Sequence, residues 1–174
     1  AGAQRTQSAG DWEIVGTAIT VLVEQVGDAA ETSLKVGDAV MVADASDTGG
    51  DAIADHKHIM VGAHHFIVFA DGGDQADDLF LLKLDRDLQR VGIVQVVDDD
   101  PPTNDMMLVS DGERISVGKF LPGFGHRMYV YNLDLQLQGT VDVGGGDNRH
   151  ANGASATWAT VSQSAVECDQ SSVQ

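Results

Sequence analysis

Cysteine, lysine and glutamate are scarce in this chain, and each scarcity excludes something. The one cysteine, Cys168, cannot form an internal disulfide. No histidine or other base lies near it in sequence, so it reads as a reduced bystander rather than a nucleophile. In a secreted protein with Cys168 exposed, it would link two chains. Lysine occurs only at 35, 57, 83 and 119, and glutamate only at 13, 24, 31, 113 and 167. Against abundant aspartate this leaves a net charge of −17 over 174 residues. Such a surface repels phosphate backbones and anionic membranes, so no nucleic-acid partner is expected. Long apolar runs are missing as well. Ala18–Val23 is short and Thr20 interrupts it, far from the ~20 apolar residues of a spanning helix. Membrane insertion is therefore not expected.

Other absences narrow the chemistry. No charged-then-apolar leader opens the chain. Its start, Ala1-Gly2-Ala3-Gln4, fits the stub of a removed signal and fits a plain chain end equally. There is no G-x-S-x-G elbow, no H-E-x-x-H and no phosphate-binding glycine loop before a helix. Gly144–Gly146 follows a strand-like segment with no helical pattern after it, and reads as a turn. Paired catalytic carboxylates stay open in so aspartate-rich a sequence. The aspartates fit a high-salt or calcium-rich extracellular setting. They equally fit a soluble acidic protein whose loops use Asp to make turns.

What is present is an imperfect repeat. Met60–Ala70 slides onto Leu108–Gly118 at an offset of 48, matching Val61 to Val109 and Ile67 to Ile115. Leu84–Gln89 slides onto Leu133–Gln138 at an offset of 49, matching Leu84, Asp85 and Gln89 to Leu133, Asp134 and Gln138. Four strands are expected in the first unit, at His58–Val61, Phe66–Ala70, Leu79–Leu84 and Val91–Val97. The separators are Ala63-His64, Asp71–Asp78 and Asp85–Asp87. The Asp98–Pro102 segment breaks the chain. The second unit then offers Met107–Ser110, Ile115–Phe120, Met128–Leu133 and Gly139–Val143. Upstream, Ile14–Val23 reads as one strand, and Ser33–Val36 and Ala39–Val42 as a hairpin around Gly37-Asp38. Asp44–Asp51 reads as a loop. Residues 1–10 read as a flexible arm and 167–174 as a disordered tail, with a β-repeat domain over 11–166 and clear units at 55–102 and 103–148. No helix is expected, because Leu79–Val91 passes as amphipathic while Met128–Gln138 alternates like a strand.

A repeat of this length, with short strands joined by hairpin turns, predicts an all-β fold of propeller-like four-stranded antiparallel blades. The chain holds about three to three and a half of them, fewer than the ~4–8 of a closed ring. Copies of the chain would then associate to complete a ring or a larger assembly, unless the chain is a fragment of a longer protein or its strands form a sandwich or an open stack.

Each unit is preceded by a polar knot: Asp55-His56-Lys57-His58, Thr103-Asn104-Asp105 and Arg149-His150-Ala151-Asn152. The first strand of a blade is innermost, so these knots would converge at one channel mouth. Asp55, His56, His58, Asp105, His150 and Asn152 are the expected ligand-binding residues. Satisfying strand-end backbone groups is their bland alternative. His126 and Arg127 would grip a carboxylate or sugar acid, unless a surface aspartate takes that place. His64-His65 reads as solvated turn. Calcium is the ion expected at Asp44, Asp47 and Asp51, and at Asp71, Asp74, Asp77 and Asp78. Carboxylates on glycine-containing loops suit a hard cation, but aspartate turns also form without metal.

Val109-Ser110-Asp111-Gly112 before an alternating strand resembles the turns of the broad β-propeller class. Asp55-His56 before a first strand is similar to propellers that bind or cleave polysaccharides, glycoside hydrolases and uronate lyases among them. The resemblance covers residues 51–158. It lacks the sialidase Ser-x-Asp-x-Gly-x-x-Trp box, the Trp-Asp blade ending and the kelch Gly-Gly pair. It implies a secreted protein that is either a non-catalytic binding or assembly module or a polysaccharide hydrolase or lyase. A polyhydroxylated or acidic sugar would be the ligand. With only Trp12 and Trp158 as indoles, stacking platforms for it are few.

Overall fold

Alternation of β-branched and polar residues, punctuated by glycine turns, yields strands throughout. The computed structural model describes residues 9–27, 32–72, 78–97, 106–121 and 125–143. All are β-structure, turns or loops apart from one 3₁₀ turn at Ala45–Thr48. No helix among the described residues is long and apolar enough to cross a membrane. Three antiparallel sheets form, and none of them closes on itself. The chain divides into two compact units, Ala1–Pro102 and Thr103–Gln174.

The first unit holds two sheets. Strands β1 (Ala9–Val15), β2 (Ala18–Gln25) and β3 (Ala39–Ala43) make a three-stranded sheet with β2 in the middle. Strands β4 (Ile53–Val61), β5 (His64–Asp71), β6 (Leu79–Leu84) and β7 (Arg90–Val97) make a four-stranded meander. Period-two alternation sends Ile19, Val21 and Val23 inward from β2, where they join Ile67, Phe69, Leu82 and Leu84 in one core. Trp12, Ile14 and Val40 pack against the same core. The inner strands β5 and β6 are buried along nearly their whole lengths. That explains their near-continuous apolar sequence, since a strand covered on both faces need not alternate.

The second unit is one meander of β8 (Met106–Ser110), β9 (Arg114–Leu121), β10 (Gly125–Asn132) and β11 (Leu137–Val143). Ile115, Val117, Lys119, Tyr129 and Tyr131 are buried in it. Gly118 is closely packed: a Cβ there would stand 2.7 Å from Met128 Sδ and 3.2 Å from Met107 Cβ, so the Met128 side chain would have to shift.

Several sequence expectations are corrected. Ile14–Val23 is not one strand, because Gly16, left-handed at φ 65°, turns the chain between β1 and β2. Strand begins at Ala9, inside the expected arm. Ser33–Val36 forms no strand; Gly37 N donates to Val23 O and Val23 N to Asp38 O, both at 2.8 Å, so this turn fastens to β2 instead. The first polar knot is not a lead-in to a strand. It lies within β4, which starts five residues earlier than expected, at Ile53. The expected tail 167–174 lies outside the described residues, as does the segment 154–161, which the sequence offers as the start of a further repeat unit.

The repeat is real, but its register differs from the sequence alignment. Met60 pairs with His65 as Ser110 pairs with Ile115, an offset of 50 across the first hairpin. His65 then pairs with Leu84 as Ile115 pairs with Tyr131, an offset of 47 for the third strand. The connection between the middle strands absorbs the difference. It spans Ala70 to Leu79 in one unit and the shorter Phe120 to His126 in the other.

Candidate functional site

Strand β4 is an edge strand, and its alternation splits the first polar knot. His58 pairs with the core residue Ile67 and His56 with Phe69, so both imidazoles share the face turned toward the three-stranded sheet. Asp55 and Lys57 alternate to the other face. Asp55 Oδ1 accepts a hydrogen bond from His56 N at 2.8 Å.

The Gly62-Ala63 turn brings in a residue that the sequence reading left in solvent. It sets Met60 opposite His65, which puts His65 on the same face as His58 and diagonal to it. His65 is 1% exposed, which corrects the expectation of a solvated turn. His58 Nε2 and His65 Nδ1 are 2.9 Å apart, so one ring donates and the other accepts. Trp12 of β1 stacks on His58, with centroids 4.1 Å apart and planes 22° from parallel. It meets His65 at 5.5 Å, tilted.

This environment disfavours charge. Burial first, then the neighbouring His65 and His56, holds the His58 pKa down to about 4 from the ordinary 6.5. Burial lowers His56 as well, with Asp55 opposing and Lys57 adding to the effect. His64, on the far face of β5, is lowered by burial and by Lys83, with Asp85 opposing. At neutral pH His58 is therefore uncharged.

Asp105, His150 and Asn152 lie outside the described residues, so the convergence of the three knots does too. His126 is buried on β10. Arg127 beside it donates from Nε to Asp142 Oδ1 at 2.8 Å, across the β10–β11 pair. In the first aspartate loop, Asp44 caps the 3₁₀ turn by accepting from Ser46 N at 2.9 Å, and Asp47 Oδ2 accepts from Asp44 N at 3.0 Å. Arg90 then grips Asp47 with both terminal nitrogens, at 2.7 and 3.0 Å, and donates to Val42 O at 2.8 Å. Asp47 is thus paired with a guanidinium. The carbonyl of Asp51 accepts from Thr48 Oγ1. Asp71 closes β5 in a buried position, and its N–H donates to Asp78 O at 3.3 Å. Asp74 and Asp77 lie outside the described residues. Among the described residues no three of His, Cys, Asp and Glu are grouped to hold a metal ion.

Trp12 and His65 are the site residues that sequence reading missed. The signal was present: Val61-Gly62-Ala63-His64 is a two-residue hairpin if the turn sits on the glycine. Centring the turn one residue later, on Ala63-His64, slides the register by two residues and sets His65 against Gly62 beside the turn instead of against Met60.

Comparison with known proteins returns no matching family model and no matching curated protein.

Proposed function

We propose that this chain is a non-catalytic extracellular binding or assembly module whose copies associate through open sheet edges. Its four-stranded meanders act as propeller-like blades, and association completes a ring or a larger array.

The observation that carries the reading is β11. Among the described residues it is the edge strand of its sheet, exposed from Leu137 to Asp142, with Leu137 54% and Val141 45% exposed. Natural sheet edges are guarded by lysine, proline or unpaired charge. The β11 sequence, LQGTVDV, has neither lysine nor proline. Its single charge, Asp142, is matched by Arg127 at 2.8 Å. Such an edge suits a further strand. The acidic, lysine-poor surface supports an extracellular setting, where dissolved ions screen the repulsion between like-charged copies.

Sedimentation velocity over a wide concentration range tests this. The chain is expected to associate as concentration rises. Val141→Lys, which places a charge on the exposed edge, is expected to weaken association without unfolding the sheet. A monomer at every concentration overturns the reading.

A further inference from the structure

We propose that β11 pairs antiparallel with β11 of a second copy of the chain, about a two-fold axis at Thr140, seating Val141 of each strand against Gly139 of the other. This rests on the assembly reading above and names the partner of its open edge.

Gly139 and Val141 lie on one face of β11, opposite Val130 and Met128 of β10. A Cβ built on Gly139 would meet no atom within 4 Å, so the strand carries a notch there. Two residues on, Val141 stands 45% exposed. One short strand thus holds both a gap and an apolar side chain to fill it. An isologous contact uses such a pair twice, because residue i meets j while j meets i.

Thr140 is the midpoint of the seven-residue strand Leu137–Val143, so an axis there engages its whole length. Val141 then lies opposite Gly139, Asp142 opposite Gln138, and Thr140 opposite itself. Facing threonines are favourable in a sheet, and facing like charges are not. Asp142, the one charge of β11, faces an amide in this register and is already paired with Arg127. An axis at Asp142 would instead set two carboxylates face to face.

The other edges of the described sheets fit less well. β1 exposes Asp11 and Glu13, on a chain whose net charge is −17. Arg90 takes the Val42 carbonyl of β3. β4 exposes Lys57, and Met106–Leu108 of β8 are buried. β7 repeats the Gly-x-Val spacing at Gly92 and Val94, but there the valine is partly buried.

The test uses the full chain carrying Cys168→Ser, so that an added thiol is the only one. Directly opposite residues of an antiparallel pair have Cα atoms about 4.5–5.5 Å apart, a spacing that a disulfide spans. Under mild oxidation Thr140→Cys is expected to give a disulfide-linked dimer several-fold faster than Met41→Cys, an exposed position on β3. Adding Gly139→Val, which fills the notch, is expected to slow the Thr140→Cys linkage to the rate of Met41→Cys. Sedimentation of the unoxidised chains separates the outcomes. Association without preferred linkage at 140, or linkage that Gly139→Val leaves unchanged, overturns the self-pairing and leaves the assembly reading standing. A chain that stays monomeric at every concentration overturns both.

Discussion

Leu88 and Leu135 hold the same place in two different turns, left-handed at φ 66° and φ 62°. Each follows a side chain that organises the turn. Asp85 Oδ1 accepts from Asp87 N at 2.8 Å and Gln89 N at 3.0 Å. Asn132 Oδ1 accepts from Asp134 N at 3.0 Å and Gln136 N at 2.9 Å. Both turns close with the same backbone pair, Leu88 N to Asp85 O and Leu135 N to Asn132 O, each at 3.1 Å. The strand after each turn then shifts register, opposite Lys83/Leu84 in one sheet and Val130/Tyr131 in the other.

Because Asn132 does in one sheet what Asp85 does in the other, the acceptor oxygen matters and the charge does not. Asp85→Asn is expected to change stability by less than about 0.5 kcal/mol. Asp85→Ala leaves two N–H groups without their acceptor and is expected to cost about 1–2 kcal/mol. Urea denaturation of the two variants separates the cases.

The left-handed leucines differ in what their side chains contribute. Leu88 is 3% exposed and belongs to the core, whereas Leu135 is half-buried. Glycine relieves about 1 kcal/mol of backbone strain at either site. Leu135→Gly is therefore expected to be close to neutral. Leu88→Gly is expected to lose about 1–3 kcal/mol, because lost core packing outweighs the relief. Equal effects in thermal melts would contradict this account of the two turns.

Arg90 fastens the 3₁₀ turn and the β3 backbone to β7. Lysine keeps the charge but not the two-pronged geometry, so Arg90→Lys is expected to cost about 1 kcal/mol at neutral pH. The Arg90 hydrogen bond is the largest cause lowering the Asp47 pKa from 3.8. Lowering means that the stabilisation is complete above the unfolded value and is lost as pH falls through the folded one. The difference between native and Arg90→Lys chains should thus be constant above about pH 5 and shrink below about pH 4. A difference that grows on acidification would contradict the pairing.

Folding stability should also fall in the range where His58 would ordinarily titrate. Its folded value is about 4 against 6.5 unfolded, so the unfolded chain takes up the proton first. Stability is full above pH 6.5 and falls as pH drops toward 4. The total loss is about 1–3 kcal/mol, trimmed because the ring is partly open to screening water. His58→Phe should flatten this part of the profile in chemical denaturation at successive pH values.

The all-β class, eight strand positions and the two-unit repeat were legible because alternation and glycine turns are local signals. The register was not. Aligning Leu84-Asp85 with Leu133-Asp134 matched apolar residues two positions out of step. Since β side chains repeat every two residues, that slip preserved every face and betrayed nothing. The better signal is the run Asp-Leu-Gln-x-x-Gly-x-Val-x-Val, present at 87–96 and again at 134–143. It carries the turn, its left-handed leucine and the residues after the register shift. The histidine pair was hidden by a slip of the same size. A turn centred one residue late leaves His65 beside the turn rather than opposite Met60, and the indole that completes the cluster comes from β1, far away in sequence. Closure into a ring is not a local property, and alternation carries no trace of it.

Amide hydrogen exchange at β11, followed against protein concentration, tests the edge-assembly account most directly. In an antiparallel pair alternate N–H groups point away from the partner, so those of Leu137–Asp142 turned away from β10 meet solvent in a lone chain. The account predicts that they exchange fast in dilute solution and become protected as copies associate, with Val141→Lys abolishing the protection. Fast exchange of these amides at every concentration, in a chain whose β5 and β6 amides stay protected, would contradict it.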